Sequence, residues 1–91
     1  MTTKFFSNWA NANTFQDQLA SESGVAFSAR MNYADALVVT ILSDYGAVVG
    51  EECRDICVTD DPELVEIWRE RGYDVDYINA GAGRWLDQRW R

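Results

Sequence analysis

The chain has 91 residues, fifteen Asp and Glu against eight Lys and Arg, a net charge of −7 and no histidine. A chain of this length makes a single domain, residues 1–91, that buries about 60–65% of its unfolded surface. Its 47% apolar content and twelve aromatic residues can fill a core, while one Pro and six Gly exclude a low-complexity or disordered chain. The lack of histidine removes the commonest general base, the Ser-His and Cys-His nucleophile systems, and most zinc and iron sites.

In chain order, Thr2–Trp9 reads as a short strand with Phe5 and Phe6 as a bulky pair. Asn13 or Thr14 can cap a short helix over Phe15–Glu22, with Gly24 just beyond its end. Val25–Met31 alternates, with Val25, Phe27, Ala29 and Met31 on one side and Ala26, Ser28 and Arg30 on the other. That pattern predicts a half-buried strand. Ala34, Leu37, Val38, Ile41, Leu42 and Tyr45 keep a helical period behind a capping Asn32, so a helix is expected over 33–45. Cys53–Thr59 is expected to be a strand covered on both faces.

Asp61-Pro62-Glu63 is a helix start, with Asp as cap, Pro in the first turn and Glu beside the positive dipole end. Leu64, Val65 and Trp68 form the apolar stripe of that helix, and Gly72 stops it. Tyr73–Tyr77 alternates as a strand that turns Asp74 and Asp76 to water. Asn79–Gly83 is a loop, and Arg84–Arg91 closes the chain with a helical turn. The expected fold is α+β: a small two-layer sandwich with a sheet of about three to five strands and helices packed on one face. Residues 53–78 could form a right-handed βαβ unit, with antiparallel pairing as the alternative.

The N-terminus has no secretory pattern, and no stretch approaches the ~20 apolar residues of a membrane span. A soluble, cytoplasmic protein is expected, in a host-cell cytoplasm if phage-encoded. Cys53 and Cys57 are read as reduced thiols. On a strand they lie about 13 Å apart, too far for an unstrained bridge, and two thiolates alone do not close a metal site. Asp60, Asp61 and Glu63 lack the spacing of a calcium loop. The NAGAGR segment, 79–84, is neither a dinucleotide nor a P-loop fingerprint. No metal or cofactor is expected, and no enzymatic activity.

Charge is unevenly placed. Residues 44–76 hold eleven carboxylates against three arginines, while residues 77–91 are mildly basic through Arg84, Arg89 and Arg91. A field of one sign repels nucleic acid and anionic membranes and attracts a basic partner. The candidate contacts are Asp60, Asp61, Glu63, Glu66, Glu70, Asp74 and Asp76. Arg84, Trp85, Arg89 and Trp90 join them as an Arg/Trp tail, because those residue types are enriched at binding hot spots. A solvated acidic face and core packing of Trp85 are the plain structural alternatives.

The sequence therefore points to a non-catalytic acidic module that binds a basic protein surface, such as a nucleoprotein effector complex, without contacting nucleic acid or membrane directly. In type, though not in motif, it is similar to phage and plasmid inhibitors of host defence, the anti-CRISPR and antirestriction proteins, some of which act as nucleic-acid mimics. The alternative is a structural or regulatory subunit that homodimerises or docks through its Trp/Arg-rich C-terminus.

Overall fold

The computed structural model describes residues 2–32, 34, 35, 56–80 and the backbone of 83–87. Among these residues, five strands and two helices follow one another as β1 (Thr3–Phe6), α1 (Trp9–Ser23), β2 (Val25–Arg30), β3 (Ile56–Thr59), α2 (Pro62–Glu70), β4 (Val75–Asn79) and β5 (Gly83–Asp87). The strands form a single sheet in the order β1-β3-β2-β4-β5, and every neighbouring pair is antiparallel. The α+β class and the small sheet are as the sequence predicts.

The layering differs from the expected one. On β3, Cys57 joins Phe5, Ala29, Met31, Val75 and the α2 residues Leu64, Val65 and Trp68 in one buried cluster. Its neighbours Ile56 and Val58 join Ala26 and the α1 residues Ala12, Leu19 and Ala20 in another. Successive strand residues point to opposite faces, so the two helices cover opposite sides of the sheet instead of sharing one.

Topology gives the reason. β1 and β2 are parallel with β3 between them, and β3 and β4 are parallel with β2 between them. Both crossovers step the same way across the sheet, but their strands run in opposite directions. Right-handed crossovers then put α1 and α2 on opposite faces. The βαβ unit expected over 53–78 is present as β3-α2-β4, in split form, because β2 lies between its two parallel strands.

Local sequence explains most element ends. Asn8, in extended conformation, caps α1 by accepting from the Asn11 N–H (2.9 Å). The helix therefore starts six residues before the Phe15 expected from the sequence, and Trp9 belongs to it rather than to the first strand. Gly24 ends it at φ +91, a conformation that favours glycine, and its N–H donates to the Ala20 carbonyl (2.8 Å).

β2 is buried at Ala26 and Ser28 as well as at Ala29. It is a central strand covered on both faces, not a half-buried one. β3 is buried at all four positions, as anticipated, while Cys53 lies outside the described residues. Asn32 Oδ1 accepts from the Asp35 N–H (2.9 Å), and Ala34 and Asp35 are helical. The remainder of the helix expected over 33–45 lies outside the described residues.

β4 starts at Val75 rather than Tyr73, and residues 84–87 of the expected terminal helical turn belong to β5, while 88–91 lie outside the described residues. β4 and β5 pair as antiparallel neighbours, Asn79 with Gly83 and Val75 with Asp87. Folding back this way satisfies the outer edge of β4. No helix among the described residues is long and apolar enough to cross a membrane.

Candidate functional site

The acidic residues fall into separate places. Asp60 and Asp61 serve the fold. Asp60 Oδ1 accepts from the Thr2 N–H (2.8 Å), and its Oδ2 accepts from the Ser23 hydroxyl (2.7 Å). It thereby ties the start of the chain and the end of α1 to the β3–α2 turn. Asp61 caps α2 by accepting from the Glu63 N–H (3.0 Å), and its own N–H donates to the buried Thr59 hydroxyl (3.0 Å). Such a cap stabilises a helix by about 1 kcal/mol.

Glu63, Glu66 and Glu70 are exposed along α2. Glu66 Oε1 lies 3.6 Å from Arg69 Nη1, an exposed i,i+3 pair that stabilises little. The buried stripe of Leu64, Val65 and Trp68 faces the sheet, so these glutamates occupy the outer side of the helix.

Asp74 and Asp76 belong elsewhere. Asp74 is exposed before the start of β4. Asp76 is half-buried, not turned fully to water, and lies on the α1 side of the sheet opposite Ser28. Arg84 and Trp85 stand on β5 opposite Ile78 and Tyr77, while Arg89 and Trp90 lie outside the described residues. The structure thus joins Asp61, Glu63, Glu66 and Glu70 on α2 and its cap, and separates them from the Asp74–Asp76 pair on the other face.

That pair opens onto a cleft of about 440 Å³, within the size range of small-ligand sites. Trp9, Ser28, Arg30, Gly72, Tyr73, Asp74 and Asp76 line it. Trp9 is the first residue of α1, and the Arg30 guanidinium lies 5.8 Å from the centre of its ring, a cation–π contact. Below, Gln16 is fully buried between α1 and the sheet. Its Nε2 donates to the carbonyls of Ala26 (3.0 Å) and Asp76 (3.2 Å), and its Oε1 accepts from the Ser28 hydroxyl (2.9 Å). The polar floor is therefore hydrogen-bonded within the protein. Sequence reading missed Trp9, Ser28 and Arg30 as a group. The available signal was the two-residue spacing of Ser28 and Arg30 and of Asp74 and Asp76, which an antiparallel register places side by side.

Beside the cleft, Asp35 bonds the Tyr73 hydroxyl and the Arg71 guanidinium. The Tyr73 hydrogen bond is the largest cause that holds the Asp35 carboxyl below its ordinary range. Partial desolvation opposes it, and Arg71 and Asn32 support it. Tyr73 is shifted upward, first by desolvation and then by its bond to Asp35. A depressed carboxylate contributes stability that is present above its unfolded pKa and lost as pH falls through its folded pKa. The stability difference between the protein and its Asp35→Asn variant should therefore shrink as pH falls below about 4. Urea unfolding across that range measures it, and a difference that stays constant into strong acid would contradict this role of Asp35.

Cys57 is fully buried, and burial pushes its thiol well above the usual range. It packs as a small apolar residue. No three Asp, Glu or Cys side chains among the described residues converge as metal ligands. No family model matches this chain, and neither a curated protein nor a solved structure shows significant similarity to it.

Proposed function

We propose that this protein is a non-catalytic acidic binding module that presents the outer ridge of α2 to a basic protein surface. The observation that carries this reading is the exposure of Glu63, Glu66 and Glu70 on the outer side of a helix that is held to the sheet by Leu64, Val65 and Trp68. Each i,i+4 like-charge pair, such as Glu66 and Glu70, costs a few tenths of a kcal/mol. A ridge of carboxylates can occupy a Lys/Arg-lined channel that otherwise holds nucleic acid. The narrower form of the reading is an inhibitor of a nucleoprotein effector, of the phage or plasmid type. A second reading, a homodimerising or docking subunit, draws on β5, the outer strand that carries Arg84 and Trp85; sedimentation of the purified protein separates the two.

The test begins with affinity capture from the native host and continues with association kinetics on the captured partner. Reversing Glu63, Glu66 and Glu70 to Lys should slow association about tenfold or more at low salt, since steering acts mainly on the on-rate. Rising salt should erase the difference. An unchanged rate and affinity would leave α2 as a solvated face and shift attention to the Arg84–Arg91 tail. Competition between the module and nucleic acid for the same partner tests the inhibitor form.

A further inference from the structure

We propose that the cleft between the N-terminus of α1 and the start of β4 receives one cationic side chain, an arginine guanidinium or a lysine ammonium, from a protein partner. The inference rests on the preceding section only for the source of that side chain; the cleft itself lies on the sheet face opposite α2.

The lining chemistry selects this occupant. One aromatic side chain, Trp9, and two carboxylates, Asp74 and Asp76, surround the space together with one guanidinium, Arg30, and Gly72 and Tyr73 complete its described rim. The described lining residues therefore carry one negative charge in excess, which matches a monocation and disfavours an anion. Arg30 rests against the Trp9 ring, and the Tyr73 hydroxyl is engaged by Asp35. The Trp9 wall is thus positioned before any partner arrives. Asp74 is exposed, and it has no hydrogen bond or ion pair among the described residues. A cation entering beside Trp9 would meet that carboxylate and an aromatic surface together, the combination that favours cationic side chains. The floor cannot compete for the guest, because the Ser28 hydroxyl and the Gln16 amide satisfy one another and the backbone. A volume of about 440 Å³ holds one long side chain with accompanying water.

The test uses three capped tripeptides, Gly-Arg-Gly, Gly-Lys-Gly and Gly-Gln-Gly, titrated into the full chain and followed by NMR. The Arg or Lys peptide should shift the Trp9 indole N–H and the amides of Ser28 and Asp74 with saturation, while the Gln peptide should not. The relative response to Arg and Lys identifies the preferred head group. Asp74→Asn, an exposed change outside β4, should weaken binding at least fivefold, and Trp9→Leu should abolish it. The Glu63, Glu66 and Glu70 reversal should leave these shifts intact, which separates failure of this inference from failure of the α2 reading. Equal binding of the Gln peptide, stronger shifts with a Gly-Glu-Gly peptide or with phosphate, shifts confined to α2, or no shift at all would each overturn the proposal.

Discussion

Replacing Trp68 by Ala should destabilise the protein by about 3–5 kcal/mol. That is a large share of the roughly 5–15 kcal/mol by which domains of this kind are stable. Trp68 is 1% exposed and packs with Leu64 and Val65 against Phe5, Ala29, Met31, Cys57 and Val75. It is the largest side chain holding α2 to its face of the sheet. Truncation removes a whole ring system from a closely packed cluster and leaves a cavity beside Phe5, Met31 and Leu64. Urea unfolding followed by far-UV circular dichroism reads the loss without depending on the indole that is removed. Trp68→Phe refines the interpretation. The buried Nε1–H of Trp68 has no acceptor among the described residues, and removing an unsatisfied donor returns part of the packing loss. The Phe variant should therefore cost only about 1–2 kcal/mol. A loss below about 1 kcal/mol for Trp68→Ala would mean that α2 is held by something other than this cluster.

α2 was also the element most legible in the sequence. Asp61 and Pro62 supply a cap and a preset first turn, and Leu64, Val65 and Trp68 supply a stripe, so local signals agree at every level. β2 was legible from its alternation, and β3 from apolar content that is dense and β-branched. The first half of α1 was not. Its buried residues are Ala12, Gln16, Leu19 and Ala20, of which only Leu19 is strongly apolar, so the helical period carries almost no hydrophobic contrast. Tertiary packing against Ala26, Ile56 and Val58 holds that helix in place, and a single sequence does not display it. β5 escaped for a related reason. Trp85 and Leu86 fit a helix or a strand equally well, and the deciding factor is the unpaired edge of β4, a partner that local pattern cannot see.

The candidate site divides along the same line. The carboxylates of α2 were found from charge and spacing alone, because a helix fixes which of its own residues share a side. Their separation from Asp74 and Asp76 was invisible, because it depends on which face each crossover takes. Asp61 reads in the sequence both as a helix cap and as a partner contact, and Asp60 as a partner contact; the structure shows Asp61 as the cap and Asp60 as a tie between three chain segments. The cleft required the pairing of Ser28 with Asp76. That register places Trp9, from a helix capped by Asn8, over residues that stand nearly fifty positions apart in the chain.

Gln16 gives the sharpest test of that arrangement. Gln16→Leu should cost about 2–4 kcal/mol even though the two side chains are similar in volume, because the loss is polar rather than steric. The substitution strips the Ser28 hydroxyl of its acceptor (2.9 Å) and withdraws a donor from the Ala26 and Asp76 carbonyls (3.0 and 3.2 Å). A buried polar group left without a partner costs about 1–3 kcal/mol. The carbonyls lose less than the hydroxyl, since each keeps a second lone pair for other partners. Ser28→Ala alone should also destabilise, by leaving Gln16 Oε1 without its donor. The two changes together replace both ends of the bond by apolar groups, so the Gln16→Leu/Ser28→Ala protein should be more stable than the sum of the single losses predicts, by about 1 kcal/mol or more. Strict additivity would show that the two side chains are not coupled, and the floor of the cleft would then be held by the sheet ladder alone. Coupling would make Gln16 the residue that fixes α1, β2 and β4 in one geometry, and with them the distance between Trp9 and the two aspartates.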